Sequence, residues 1–323
     1  MTPKRLAVLD LVRGLAVVAM AVYHFSWDLS WFGFVDWPVS QGAGWRDFAE
    51  TIAASFLFVS GIGLDLAHHR GIRWRSFVQR LAKIVLAAAG VSLATYFAFE
   101  ENYVRFGILH CIAVSSLIAL PFVRLSWAVS GIAALFVLTL PLWAQSFAFN
   151  GQLWLWTGLG TPDFGSVDYV PLAPWAGVTL AGLAVSAAFR TFGIWQRLTA
   201  LRFENAAGRF ARLLGRYSLP IYLIHQPVLY GLVWAVFQVN PAADRDALAF
   251  VKNCTLACQD SFGAPDICEA ACGCTLEFLK TDGIWTALLV APEEPGLQDR
   301  MNRRYAQCLA DPEAFSSLDS SQK

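Results

Sequence analysis

Charge is scarce in this chain: Asp, Glu, Lys and Arg make up 15% of 323 residues, and the formal net charge is zero. So few charges cannot cover a soluble surface of this size. A hydrophobic content of 56% and a mean hydropathy of +0.49 likewise exclude an ordinary water-soluble globule. Cysteine is nearly missing from the first 240 residues, where Cys111 stands alone, and histidine is missing after His225. The second absence argues against a zinc site in the C-terminal region, which has thiols but no imidazoles. No small-residue cleavage site precedes Trp27, and Asp10 and Arg13 interrupt the first apolar run. That run therefore reads as a retained helix and not as a cleaved signal peptide.

What is abundant is long hydrophobic sequence, with 13 Trp and 24 Phe suited to lipid and its interface. Seven segments are long enough to span a bilayer, at about 6–27, 47–67, 79–99, 106–123, 125–147, 170–190 and 218–239. The expected fold class is all-α: a polytopic transmembrane helix bundle of about seven spans, residues 1–240. A small extracytoplasmic helical domain, residues 241–323, follows it.

The sparse charges are sorted by side. Arg70, Arg73, Arg75, Arg80 and Lys83 gather around the connection of segments two and three, and Arg190, Arg197, Arg202, Arg209, Arg212 and Arg216 around that of six and seven. The alternate connections carry Asp28, Asp36, Asp47, Glu100, Glu101, Asp163 and Asp168, with Arg46 and Arg105 as their basic residues. With Lys4 and Arg5 at the start, the positive-inside rule puts the N-terminus in the cytoplasm and the C-terminus outside. The expected location is a bacterial inner membrane, crossed several times, with a periplasmic C-terminus.

Six of the seven cysteines fall after residue 240: Cys254, Cys258, Cys268, Cys272, Cys274 and Cys308. Positions four apart share a helical face, so two Cys-x3-Cys segments joined by a turn near Ser261 to Pro265 form a hairpin that two bridges staple. Antiparallel pairing joins Cys254 to Cys272 and Cys258 to Cys268, leaving Cys274 for Cys308. Six cysteines allow 15 pairings, and a metal or redox role for these thiols stays open at this stage. An even count in a region placed outside fits an oxidising compartment. Cys111 reads as a small buried hydrophobe.

Each ionisable group in a span costs about 2.5–3.5 kcal/mol on insertion scales, so those in the first segment point to a function. Helical rise places Arg13 near the cytoplasmic side and His24 near the outer one. Asp28, four residues beyond His24, shares its face and can orient the imidazole. His110 and Asp168 are expected in the same outer layer. The seventh segment, entering from inside at Ser218, is expected to bring His225 and Gln226 to the depth of Arg13. Arginine suits phosphate because its planar fork binds two oxygens and stays charged when buried.

Blander readings accompany each of these. Asp10 and Arg13 form an i, i+3 ion pair that could simply hold the bundle together. Gly61 and Gly63 are expected to permit close helix approach, and His68 and His69 to decorate the interface. Pro171, Pro174 and Trp175 shape the entry of segment six. The Arg-rich stretch 190–216 is expected to lie along the inner surface against anionic lipid.

The spacing Arg13-x10-His24, inside Leu-Asp-Leu-Val-Arg-Gly-Leu-Ala and Tyr-His-Phe, resembles the signature of the transmembrane acyltransferase superfamily, which includes acyltransferase family 3. Further matching stretches are Phe-Leu-Phe-Val-Ser-Gly in segment two, Phe106 to His110, Asp168 to Trp175, and Ile221 to Pro227. Together they look most like bacterial relatives of the heparan-α-glucosaminide N-acetyltransferase catalytic domain, over residues 5–235, with the cysteine region outside. The resemblance implies a membrane-bound O- or N-acyltransferase moving an acyl group, usually acetyl, from cytoplasmic acetyl-CoA to an extracytoplasmic glycan or amino sugar, with no metal. It implies His24 as the catalytic histidine, as base or acyl carrier. Arg13 then serves the donor side with His225 and Gln226, Asp28 orients His24, and His110 and Asp168 line the path.

Two other classes remain open on the residues alone. Buried histidines and aspartates also build proton relays, so a proton-coupled transporter fits, although no inverted repeat is visible. A non-catalytic anchor presenting the cysteine-rich cap to an accessory protein, or to a second copy, fits as well. Lipid and a glycan acceptor are the expected partners, and nucleic acid is not.

Overall fold

In the computed structural model the described residues are 6–35, 37–39, 42–99, 102–161, 165–201, 203–239, 245–262 and 265–311. The loop charges Lys4, Arg5, Asp36, Glu100, Glu101, Asp163 and Arg202, and the centre of the turn expected between Ser261 and Pro265, lie outside them. Thirteen α-helices are present among the described residues: α1 (Ala7–Trp31), α2 (Ala43–His68), α3 (Trp74–Phe99), α4 (Ile108–Ala119), α5 (Trp127–Trp143), α6 (Leu172–Thr191), α7 (Ile194–Leu198), α8 (Ala206–Arg216), α9 (Ser218–Val239), α10 (Arg245–Phe262), α11 (Pro265–Thr281), α12 (Trp285–Val290) and α13 (Pro295–Ala310). No strand occurs among the described residues; Phe106 and Tyr169 make one isolated bridge.

Five helices, α1, α2, α3, α6 and α9, are long and apolar enough to cross a membrane, and two shorter apolar stretches, Ile108–Arg124 and Trp127–Trp143, complete the seven segments. Only helices satisfy their own backbone in lipid, which is why unbroken apolar sequence folds this way. The protein is a polytopic transmembrane helix bundle. The chain forms two compact units, residues 1–26 with 38–230, and residues 27–37 with 231–323.

In the first unit α6 is the central helix, buried along the Ala176, Thr179, Leu180, Leu183 and Ala187 side. Small residues let it touch its neighbours at backbone distance. A Cβ at Gly61 would fall on the Thr179 carbonyl, and one at Gly182 on the Phe58 carbonyl, so α2 and α6 interlock through both glycines. The expectation that Gly61 serves packing is met. Pro171 caps α6, and a non-helical Ala173 with a cis bond to Pro174 bends its first turn. Cys111 is buried and unbridged.

One surface reading is corrected here. His68 is 2% exposed: its ring meets Phe77 edge-on at 5.8 Å, and its Nδ1 accepts the Arg73 N–H at 3.2 Å. The turn after α2 folds its last histidine inward because the Arg73 amide needs an acceptor. The Arg-rich stretch 190–216 contains α7 and α8. Within it, α8 is capped by Asn205, whose Oδ1 accepts the Gly208 N–H at 2.9 Å, and it docks on α1. A Cβ at Gly14 would strike the Ala211 carbonyl, and one at Gly215 the Asp10 carbonyl. Three small residues thus let α8 press into α1 at the level of Arg13.

In the second unit, α10 and α11 form a hairpin stapled by Cys254–Cys272 and Cys258–Cys268, with Cα separations of 5.9 and 5.6 Å. Cys274–Cys308 ties α11 to α13. These are the pairs that helical spacing predicts. Leu276, Leu279, Trp285, Leu288 and Leu297 form the core beneath the staples. Arg304 clamps Asp282 through two bonds of 2.8 and 2.9 Å and lies 4.3 Å above the Phe278 ring.

Candidate active site

A cavity of about 450 Å³ opens inside the first unit, where α1, α2, α3, α4 and α9 converge. Arg13, Arg80 and Lys83 line it, with Ser60, Ser76, Gln79 and Ser218 as further polar groups. None of its lining residues is acidic. Arg80 Nη2 donates to Ser60 Oγ at 2.9 Å, so this guanidinium is held across two helices. Gly63 makes room for Arg13: a Cβ there would stand 3.2 Å from Arg13 Nη2. Asp10 is 4.0 Å from Arg13 Nη1, the outer limit of an ion pair.

Three cations around one hollow fit a polyanion. The sequence reading counted Arg80 and Lys83 as loop charges; they belong to the cavity. Their spacing held the signal, because Ser76, Gln79, Arg80 and Lys83 fall on one face of α3 within two turns.

Along α1, His24 lies eleven positions beyond Arg13, or about 16 Å at helical rise. Its ring meets that of His225 edge to face, with centroids 4.9 Å apart, and that of Tyr23 at 5.5 Å. The expectation that His225 and Gln226 share the depth of Arg13 is therefore corrected. α8 docks at the level of Arg13 and α9 starts beside it, so Ser218 and Tyr222 line the cavity. Seven residues later His225, with Gln226 next to it, has climbed to His24. Asp28 follows one turn further along α1 and is fully buried.

His225 Nδ1 is 2.7 Å from the Tyr222 carbonyl oxygen. A carbonyl only accepts, so Nδ1 carries the proton and Nε2 the lone pair. The Tyr222 hydroxyl donates to Asp168. Asp168 Oδ2 also accepts the Ile108 N–H at 3.1 Å, at the start of α4. Gly107 is required there, since a Cβ would fall on Asp168 Oδ2. Burial raises the Asp168 carboxyl above its ordinary range, outweighing the two donors that favour its ionised form. His110 accepts the Gly107 N–H on Nδ1 at 3.3 Å and places Nε2 3.4 Å from Ser92 Oγ. It ties α3 to the α4 start, while Asp168 connects that start to Tyr222 and hence to the histidine pair.

A further charge escaped the sequence reading. Asp65, 0% exposed, accepts from Arg190 at 2.6 and 3.2 Å and from Ser186 Oγ at 2.6 Å. Arg190, expected to be a loop cation, is the partner that keeps this carboxylate buried between α2 and α6.

A model of the family described as heparan-alpha-glucosaminide N-acetyltransferase, catalytic, matches residues 5–227. The match takes in Arg13, His24, the cavity and His225, and stops before the cysteine-stapled helices. No curated protein and no solved structure matches the chain.

Proposed function

The chain belongs to the heparan-α-glucosaminide N-acetyltransferase catalytic family, and on that premise we propose that it carries acetyl from cytoplasmic acetyl-CoA to an amine or hydroxyl of an extracytoplasmic glycan or amino sugar. It is an enzyme of an N-acetyltransferase family whose donor is acetyl-CoA. The observation that carries the direction of transfer is the three-cation cavity, which sits at the bundle end where the basic connections lie, with His24 about 16 Å further along α1.

The cavity supplies Arg13, Arg80 and Lys83 for the donor's phosphates, and the cytoplasm is the side the positive-inside rule assigns to that end. His24 takes the proton of the attacking amine or hydroxyl as its nitrogen or oxygen bonds to the acetyl carbonyl carbon and the carbon–sulfur bond breaks. The proton then passes to the departing thiolate. Helical spacing alone offers Asp28, the next acid on α1, as a partner for the ring. Three disulfides favour an oxidising compartment for the C-terminal unit, in keeping with a periplasmic C-terminus in a bacterial inner membrane.

Purified protein reconstituted into vesicles, with labelled acetyl-CoA on the side bearing the basic connections and glucosamine on the other, tests the reading. Labelled N-acetylglucosamine in the opposite compartment is the expected result. Label that stays on the donor, with a panel of amino sugars and glycans offered as acceptors, overturns it.

A further inference from the structure

We propose that His225 is a positioning residue for His24, its Nε2 accepting the second ring proton of His24 while the other nitrogen of His24 does the chemistry. The proposal rests on the acyltransferase reading above and gives His225 a part that sequence spacing assigned to Asp28.

Three observations meet at this pair. The rings stand 4.9 Å apart between centroids and 63° from parallel, so a turn of one ring closes a nitrogen-to-nitrogen hydrogen bond. The Tyr222 carbonyl, 2.7 Å from Nδ1, holds His225 in the tautomer whose Nε2 is a bare acceptor. That Nε2 is buried and has no hydrogen-bond partner among the described residues. A neutral acceptor fixed in place and left unused next to the reacting imidazole is what a histidine needs when it must become an imidazolium.

The supports of His225 are themselves fixed. Tyr222 gives its hydroxyl to Asp168, which also holds the Ile108 N–H, so the turn of α9 that carries the Tyr222 carbonyl is tied to the start of α4. During transfer, His24 gains the acceptor's proton as the new carbon–nitrogen or carbon–oxygen bond forms. The charge on His24 is then shared through its remaining N–H with His225 Nε2. His225 stays neutral, and the proton leaves His24 with the thiolate of CoA.

Ring packing alone makes the opposite forecast for substitutions, and this separates the two roles. His225→Phe keeps the ring and loses the acceptor; His225→Gln loses the ring and keeps an oxygen near the position of Nε2. The expected result is a kcat about 100-fold lower in His225→Phe at unchanged KM for acetyl-CoA, with His225→Gln clearly more active than His225→Phe. A Phe variant equal to or better than the Gln variant overturns the proposal. Nitrogen-15 histidine spectra of the wild-type protein give a readout independent of turnover: His225 protonated on Nδ1 is expected, and protonation on Nε2 overturns the assignment. Wild-type protein inert toward acetyl-CoA in the same assay sinks the acyltransferase reading, and the spectra then decide the tautomer by themselves. Should His225→Phe fail to fold, His225→Leu takes its place, with the same ordering expected.

Discussion

The Arg80 guanidinium reaches from α3 to α2 and donates to Ser60 Oγ at 2.9 Å. That bond aims one of the three cavity cations before a ligand arrives, which lowers the ordering cost of binding. Arg80→Ala is expected to raise KM for acetyl-CoA about 10- to 100-fold with a smaller fall in kcat, since a hydrogen bond to a charged group contributes about 1.5–3 kcal/mol. Arg80→Lys should fall between, because it keeps the charge and loses the fork. An unchanged KM in Arg80→Ala takes this residue out of the donor site.

His24→Ala should abolish acetyl transfer, by at least about 100-fold, without loss of folding or membrane insertion. Its half-buried ring leaves a small gap that the bundle tolerates. Full activity in a well-expressed variant excludes His24 as the base.

Asp65 is the charge whose removal should harm stability most. Asp65→Ala strands the Arg190 guanidinium and the Ser186 hydroxyl between α2 and α6. Breaking a buried pair costs about 3–5 kcal/mol, and Arg190 is about one-third exposed, so a loss of about 2 kcal/mol is expected. Thermal unfolding in detergent reads it as a lower Tm, and a Tm equal to wild type contradicts the account.

Asp168 links stability to pH. Because burial raises its folded pKa, its stabilising contribution is complete below the unfolded value, about pH 4, and is lost as pH rises through the folded one. Asp168→Asn cannot ionise. The Tm of wild type minus that of Asp168→Asn should therefore fall as the pH is raised from about 4 toward neutrality. A difference that stays flat with pH means that burial does not govern this carboxyl.

Thiol counting tests the second unit. Denatured, unreduced protein should show one titratable thiol, Cys111, and the reduced protein seven. Reduction should also slow the band in gel electrophoresis. Seven free thiols in freshly purified, oxidised material contradict the three bridges.

Much of this was legible in one dimension. Apolar runs of bilayer length locate the helices because lipid offers the backbone no other partner. The two Cys-x3-Cys segments suggest their own pairs, which the structure bears out, because a four-residue step returns to one helix face. Gly61 announces close packing for want of a Cβ, whereas its counterpart Gly182 on α6 emerged only from the structure. The site was less legible. Arg13 and His24 stand out because ionisable groups are costly in a span, whereas Arg80 and Lys83 look like the loop charges beside them, and only the direction of their helix tells them apart.

The sequence by itself settled the class of fold and the Arg13-to-His24 axis and suggested the stapled hairpin, all consequences of local periodicity along single helices. Tertiary structure decided everything that depends on how far one helix slides past another. With α8 docked against Gly14, α9 starts beside it, which brings His225 to His24 and not to Arg13 and puts Tyr222 in the cavity wall. Helical rise measures depth from a helix's own start, and where that start lies is set by packing between backbones that no single segment encodes.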